Sequence, residues 1–367
     1  MDIYWIGMDY HKEKTMIAVF RNYEDPLFSR HEVCSESSEI RRVLERYRAK
    51  GEVRVCYEAS SCGYELARYL IDRGFLCEVV APHSLARSPA TRVKKNDRLD
   101  AVQLARQYRS GGLKVIVMPT EHQEQVRRYV RLLDEVKTEA RRAKTRITLG
   151  CLQMGKVYKG TTWTGGHISW LEEVKLSELD REVLNHRLNK LKRLGEEIEL
   201  MTLRCETLVK EAGGTNLVKR LMALKGIQFP SAAVLWSELW DGRRFANPRR
   251  LMSYVGLDCR EHSSGESEHR GSITKQGNAR CRRVLVNAAG SYRYKQSKTT
   301  GEWNKRINGQ KQEIIDYSRK AEERLHRRYW HLVQTTGSNL KAKVAVAREL
   351  AGFVWGVMQE AIDTGIT

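Results

Sequence analysis

Four acidic residues in the first third of the chain have the types and positions that a divalent-metal site needs. Asp9 ends the apolar segment "IYWIGMD", Glu58 follows "VRVCY", and Asp97 and Asp100 open the segment "DRLDAVQLARQY". A separation of three residues places Asp97 and Asp100 on one face of a helix. Carboxylates gathered at one place repel one another unless divalent cations neutralise them. Two Mg²⁺ ions about 3.5–4 Å apart could activate an attacking oxygen and stabilise the leaving oxygen at a phosphodiester.

Each acid also has a structural interpretation. Asp97 is a natural N-cap and Asp100 lies one turn later, where a carboxylate favours the helix dipole. Asp9 alone could be a turn residue, and Glu58 could be an exposed strand end. We favour the metal site because an acid after each of two apolar strands, followed by a helix with the pattern D-x-x-D, is an RNase H-like order.

Basic residues surround these acids and recur in the second half of the chain. Lysine and arginine total 65 against 45 acidic residues, which gives a formal net charge of +20. Such a surplus is costly in self-repulsion unless a polyanion neutralises it, with nucleic acid as the first candidate and an anionic membrane face as the second. The expected nucleic-acid contacts are Lys12, Arg92, Lys94, Lys95, Arg98, Arg270, Lys275 and Arg280.

The segment "SSG" contains a candidate nucleophile, Ser264, with Ser263 next to it. We expect both serines in a loop that several arginines follow. A serine needs a base or strong electrostatic activation to attack, and there is no G-x-S-x-G pattern at this position to indicate acyl chemistry. Among arginines and beside bound DNA, the hydroxyl could attack phosphorus instead. The alternative is that this Ser-Gly pair only forms a turn.

The elements that must position the acids alternate between β-rich and helical patterns over the first 120 residues. "IYWIGMD" and "TMIAVF" flank the polar "YHKEK", which predicts a β-hairpin. Helical patterns in "SSEIRRVLERYRAKG" and "GYELARYLIDRG" precede the strand-like "VRVCYEA" and "FLCEVVAP" respectively. This order predicts an α/β domain with a mixed sheet.

A long helix is expected to begin after Thr120, where "TEHQ" forms a capping box. Its apolar residues recur at steps of three and four, which predicts one continuous buried seam. The seam consists of Val126, Tyr129, Leu133, Val136, Ala140, Ala143 and Ile147. Basic residues occupy the remaining faces, where a solvated surface and contact with phosphates are both open interpretations.

The rest of the chain predicts two further regions. Residues 159–170 are rich in glycine and threonine, which favours a linker or exposed loop. Residues 171–212 predict charged helices that form an antiparallel hairpin or a coiled coil between subunits, and "EAGGTN" marks a boundary. The predicted fold class is α/β plus all-α: an α/β domain at 1–149, a linker and coiled-coil segment at 150–212, and a mostly helical domain at 213–367.

Cysteine spacing and hydropathy exclude several classes of protein. Eight cysteines are scattered without a C-x-x-C pair, which favours reduced buried thiols over disulfides or a zinc site. The apolar start breaks at Asp9, and "LAGFVWGVM" is too short to span a bilayer. We therefore expect a soluble, cytoplasmic protein with no membrane partner.

The acids and the serine segment together resemble those of a known family. The D…E…D-x-x-D acids, a central helical hairpin and the pattern "GL-x5-SSG-x5-GSITKQGN-x3-RRVL-x2-AA" look like the DEDD transposases of insertion sequences. This is the insertion sequence one-ten family, including its eleven-eleven branch, and the resemblance covers nearly the whole chain. It departs from the family pattern at "LMALKGIQF", where a Pro-Gly-Ile-Gly turn is usual, and at "GLDCRE", which lacks the usual proline.

The resemblance implies roles for individual residues and for partners. Asp9, Glu58, Asp97 and Asp100 would be Mg²⁺ ligands in an RNase H/RuvC-like domain, with two ions bound and Mn²⁺ able to substitute. Ser264, or its neighbour Ser263, would form a phosphoserine bond with a DNA strand in a C-terminal transposase domain. The implied partners are donor and target DNA, a structured non-coding guide RNA, and further copies of the chain as dimers that join into a tetramer. It would act in a bacterial or archaeal cytoplasm, on the nucleoid.

Two other functions stay open on the sequence alone. A junction-resolving endonuclease with water as nucleophile needs the four acids but not the serine. A non-catalytic nucleic-acid-binding scaffold needs neither, because its acids would only cap helices.

Overall fold

The computed structural model describes residues 1–23, 27–81, 97–264, 267–295 and 301–359, with the backbone alone described for 97–99, 261–264, 267–270 and 302–303. The chain divides into two compact units, Met1–Pro119 and Thr120–Thr367. No helix in the described ranges is both long and apolar enough to cross a membrane.

The described residues of the first unit form a five-stranded mixed sheet with helices on both faces. Its strands are β1 (Asp2–Tyr10), β2 (Lys14–Arg21), β3 (Ser29–Cys34), β4 (Gly51–Glu58) and β5 (Leu76–Val80), and its helices are α1 (Ser37–Arg48), α2 (Glu65–Ile71) and α3 (Asp97–Arg109). The sheet order is β3-β2-β1-β4-β5. Strand β2 pairs antiparallel with both β1 and β3, whereas β4 pairs parallel with both β1 and β5. The predicted hairpin and α/β fold are confirmed.

The two faces of the central strand β1 pack into different clusters, because side chains alternate along a strand. Ile6 and Met8 lie in the core that α1 and α2 complete, whereas Trp5 packs with residues of α3. Gly7 lies on the α3 face, where a Cβ atom would come within 2.3 Å of the backbone nitrogen of Ala105. Only glycine allows α3 to lie this close to the strand.

In its described residues, the second unit is helical except for one hairpin. Its elements are α4 (Glu121–Gln153), α5 (Gly165–Glu173), α6 (Glu178–Glu211), α7 (Thr215–Ala223), α8 (Phe229–Leu239), α9 (Pro248–Tyr254), β6 (Cys259–Ser264), β7 (Ser267–Ile273), α10 (Ala279–Ala289), α11 (Gly301–Ile307), α12 (Gln312–Thr336) and α13 (Asn339–Met358). The strands β6 and β7 pair antiparallel, and α13 packs into the core of its own unit.

The long helix α4 forms as its sequence predicts. The Thr120 side chain accepts from the backbone of Gln123, and the Gln123 side chain accepts from the backbone of Thr120, which completes the capping box. The apolar seam is buried or half-buried along its length, and Val130 joins it. Helix α6 runs antiparallel to α4, with Arg187 near its start bonded to the carbonyl of Arg146 near the end of α4.

The compact units differ from the three predicted domains. We expected boundaries at 149 and 212, but the chain divides at Pro119. The reason is packing: α4 and α6 bury their apolar faces in the same core as α8, α10 and α13. A helix hairpin that shares one core with its neighbours is part of their unit.

Two local expectations were wrong. Ser263 and Ser264 do not lie in a loop, because both belong to β6, and residues 265–266 lie outside the described ranges. The expected linker at 159–170 is helical from Gly165, and its His167 is buried against the rings of Tyr158 and Trp170. Aromatic packing overrides the loop-like composition.

The eight cysteines form no disulfide. Five are buried as expected, whereas Cys34 is exposed and Cys62 and Cys259 are half-buried.

Candidate active site

Asp9 and Glu58 lie at the same level on neighbouring strands. Strands β1 and β4 are parallel and Met8 pairs with Tyr57, so the next residue of each strand is Asp9 and Glu58. Met8 and Tyr57 both point into the core under α1 and α2. Because side chains alternate, Asp9 and Glu58 belong to the opposite face, on which α3 packs.

Helix α3 brings its first turn to this same edge of the sheet. Tyr108 near its end packs edge-on against Trp5 at 5.4 Å, whereas Ala101 lies against Gly7, two residues further along β1. The helix therefore runs opposite to β1, and its first turn lies toward the end of the strand that carries Asp9. Asp97 and Asp100 both belong to that turn.

The described carboxylates differ in their surroundings. The Asp9 side chain is only 15% exposed, and its Oδ1 lies 3.1 Å from Nε2 of His11. Glu58 and Asp100 are half-buried, and the Asp97 side chain lies outside the described part. His11 is not among the predicted site residues, although its place two residues after Asp9 in a tight hairpin is a signal that could have indicated it.

The donor chemistry of this edge fits a hard divalent cation, which prefers oxygen ligands. However, the described side chains contain no group of three histidine, cysteine, aspartate or glutamate residues placed to hold a metal ion. Asp9, Glu58 and Asp100 therefore share one face and one edge without forming a closed ligand set among themselves. Asp97 is the remaining predicted ligand.

The predicted nucleic-acid contacts fall into three groups. Lys12, in the β1–β2 turn, and Lys275, in the β7–α10 loop, are exposed. Arg280 is paired within the protein, because its guanidinium reaches Asp134 at 3.1 Å and Glu135 at 2.7 Å. The others lie outside the described residues, either entirely (Arg92, Lys94 and Lys95) or by their side chains (Arg98 and Arg270).

The β6–β7 hairpin carries the two candidate serines at its closed end. Ser263 is opposite Glu268 and Ser264 is opposite Ser267. The side chains of both serines lie outside the described part of the structure.

The backbone of the loop from β7 to α10 packs closely against the backbone at the end of α9. Gly277 has φ +82°, and a Cβ atom there would come within 2.1 Å of the Tyr254 carbonyl oxygen. Arg282 donates to the carbonyl of Val255 at 2.8 Å, and burial lowers the pKa of its guanidinium. The loop ends at Asn278, whose side chain caps α10.

A buried carboxylate, Glu238 of α8, connects this loop to α4. Its Oε1 accepts from Arg131 at 2.6 Å, and its Oε2 accepts from Arg131 and from Asn278, both at 2.9 Å. Burial alone would raise the pKa of Glu238, but hydrogen bonds from Arg131 and Asn278 and the charge of Arg127 outweigh it, so the pKa is lowered. Glu238 is not among the predicted site residues. Its signal is one acid within "AAVLWSEL".

Comparisons with known families match both halves of the chain. A profile described as "Transposase", that of the DEDD transposases of IS110, matches residues 6–153, which include the four acids. A profile described as "Transposase IS116/IS110/IS902 family" matches residues 218–302, which include both serines. The first match continues past Pro119 into α4, so its limit resembles the predicted one at 149.

Individual relatives match over most of the chain. The protein y4qE of Sinorhizobium fredii (strain NBRC 101917 / NGR234), named as a transposase, is 34% identical over 98% of this chain and 90% of its own length. The transposase for insertion sequence element IS1533 of Leptospira borgpetersenii is 25% identical over 89% of this chain and 96% of its own length. The transposase for IS1111A of Coxiella burnetii is 25% identical over 64% of this chain and 65% of its own length.

Proposed function

Because this chain belongs to the IS110 family of insertion-sequence transposases, we propose that it exchanges DNA strands with two sets of residues, the four acids and a serine. The acids are Asp9, Glu58, Asp97 and Asp100, and the serine is Ser264. The single observation that carries the proposal is the position of Asp9 and Glu58 on one face of one sheet edge, which the first turn of α3 also reaches.

The sheet supports an RNase H/RuvC-like assignment of the first unit. An order of β3-β2-β1-β4-β5, antiparallel in its first three strands and parallel in its last two, resembles that fold. The acids then lie where the parallel strands end, an edge that commonly holds the ligands of α/β sheets.

The chemistry divides between the two sets of residues. When bound, two Mg²⁺ ions would stabilise the charge on the attacking and leaving oxygens of the phosphodiester. Asp9, Glu58, Asp97 and Asp100 would hold them, with Mn²⁺ able to substitute. The Ser264 oxygen forms a bond to phosphorus and loses its proton, while the strand oxygen leaves and takes up a proton. A hydroxyl of the new partner strand then reverses the step, so no water is consumed.

The remaining parts of the proposal concern partners. A structured non-coding RNA would pair with donor and target DNA and supply the sequence specificity. Dimers of the chain would join into a tetramer on the DNA. The formal charge of +20 supports a large polyanionic partner.

The nucleophile is tested with Ser264→Ala, and Ser263→Ala is the matched control. Wild-type protein, guide RNA and end-labelled DNA are mixed with Mg²⁺, denatured and separated, and a covalent protein–DNA adduct is measured. We expect the adduct with wild type and Ser263→Ala and its loss with Ser264→Ala. Cleavage that survives Ser264→Ala and leaves free 5′-phosphates would instead select the junction-resolving endonuclease.

The acids are tested with Asp9→Asn and Glu58→Gln. Glu52→Gln is the control, because Glu52 lies on the same strand but at its other end, paired with Arg54 at 2.7 Å. We expect both site variants to lose the adduct at every Mg²⁺ concentration and Glu52→Gln to retain it. Full adduct formation by Asp9→Asn would contradict the metal site.

A further inference from the structure

A cleft in the second unit is unused by the proposed chemistry. It has a volume of about 300 Å³ and lies between α4, α6, α8, α10 and the turn from α7 to α8. Ile198, Val234 and Val284 are among its apolar lining residues, and Lys137, Arg141 and Lys144 lie along its α4 side. Its volume is at the lower end of the range of small-ligand pockets, which is about 300–1,000 Å³.

Among the described residues, three of the four cations that line the cleft lack a carboxylate within ion-pair range, whereas the fourth, Arg283, is bonded to Asp134. Lys137, Arg141 and Lys144 follow one another at steps of four and three residues, so they share one face of α4. Within the described ranges, no carboxylate lies in ion-pair range of any of the three. Asp134, the acid that lines the cleft, is bonded to Arg280 and Arg283.

Burial makes this arrangement costly. It lowers the pKa of the half-buried Lys137 ammonium, Asp134 partly offsets that effect, and Arg141 adds to it. Like charges one turn apart also destabilise a helix. A bound anion would relieve both effects.

At one end of the cleft, the first turn of α8 presents hydrogen-bond donors that suit an anion. Pro230 and Ser231 belong to the first turn of α8, an 11-residue helix whose first N–H groups have no partner within the helix. Gly226, in the preceding turn, has φ +82°, and a Cβ atom there would come within 2.7 Å of the Ala288 carbonyl oxygen. The turn is therefore held against α10 and closes this end.

We propose that the cleft binds one unstacked nucleotide of a single strand, with the base among the apolar walls and its phosphate at Lys137, Arg141 and Ser231. Apolar walls beside a cationic edge match the two halves of a nucleotide, and the cleft is too small for a duplex. The inference rests on the proposed function only in taking nucleic acid as the partner. DNA and RNA strands share this chemistry.

The charge requirement is tested with Lys137→Ala and Arg141→Ala, and Arg142→Ala is the control because Arg142 is an exposed cation of the same helix outside the cleft. Binding of fluorescent single-stranded DNA and RNA is measured by anisotropy at several salt concentrations in EDTA. Each cleft variant should weaken binding about tenfold and reduce the log–log salt slope by about 0.7, the value for one phosphate contact on a single strand. An equal effect of Arg142→Ala would overturn the proposal, since any surface charge would then suffice.

The space requirement is tested without changing any charge. Ser231→Trp should fill the cleft, and the exposed Asn287→Trp should block it from the α10 side if the first variant fails to fold. Strands with a single 2-aminopurine should show the fluorescence increase of unstacking with wild type and lose it with either variant. An unchanged increase with a folded variant would overturn the proposal.

A comparison of DNA binding with RNA binding shows which kind of strand supplies the nucleotide. A larger loss for RNA in the cleft variants assigns the cleft to a guide strand, and a larger loss for DNA assigns it to an unpaired donor or target strand. Because these assays contain no metal, they can fail while the adduct assay with Ser264→Ala succeeds, and the reverse also holds.

Discussion

Replacing Glu238 by glutamine should destabilise the second unit strongly, because it removes the charge from a site that three hydrogen bonds surround. The Glu238 side chain is 2% exposed, whereas that of Arg131 is 41% exposed. Removing one partner of a fully buried ion pair costs about 3–5 kcal/mol. Since Arg131 can recover part of its hydration, we expect a loss of about 2–3 kcal/mol in the free energy of unfolding.

The control is Glu135→Gln. Glu135 belongs to α4, and its carboxylate also bonds an arginine, here one on α10. Its side chain is 57% exposed and pairs with Arg280, so the expected loss is at most about 1 kcal/mol. Urea unfolding is followed by tryptophan fluorescence, which reports chiefly on the second unit because seven of the eight tryptophans lie there. Equal urea midpoints for Glu238→Gln and the control would refute the reasoning.

The pH dependence supplies an independent check. The pKa of Glu238 is lowered in the folded protein from its usual value of 4.5. A lowered carboxyl pKa contributes stability that is present above the unfolded pKa and lost as the pH falls through the folded one. Wild type should therefore lose stability below pH 4.5 more steeply than Glu238→Gln. Parallel pH profiles would contradict the paired, ionised state of Glu238.

Three further predictions concern backbone contacts and a thiol. Gly7→Ala should displace α3, because its Cβ atom meets the backbone of Ala105, and should abolish adduct formation while lowering the melting temperature of the first unit. Gly277→Ala should lower the free energy of unfolding by about 1–3 kcal/mol, whereas Gly309→Ala, also at positive φ but with open space, should cost less in the same urea titration. Cys56 should react with a thiol reagent only on unfolding, because burial raises its pKa well above its usual range.

Local patterns were sufficient for much of the candidate site. Asp9 and Glu58 could be placed at strand ends because an apolar run followed by a polar residue marks where a strand leaves the core. Asp100 could be placed in the first turn of a helix because "DRLDAVQLARQY" has a helical period. These properties depend on neighbouring residues of the chain, so they are readable without contacts between distant segments.

The partners of charged residues could not be predicted from local sequence patterns. The contact of Arg280 with nucleic acid stays a prediction, but its bonds to Asp134 and Glu135, more than 140 positions earlier, were not predicted. An arginine in a basic segment has the same local pattern whether it faces a phosphate or a carboxylate. The packing of α10 on α4 is what brings the two carboxylates to Arg280.

The sequence by itself determined the order and type of most elements, the apolar seam of α4 and the strand-end positions of the acids, because each follows from the period of nearby apolar residues. Tertiary structure alone decided that α4 and α6 join the second unit, that Ser263 and Ser264 lie on a paired strand, and that Glu238 meets Arg131 and Asn278. These are contacts between segments far apart in the chain. They form because whole apolar faces must be buried together and each buried charge must then find its partner.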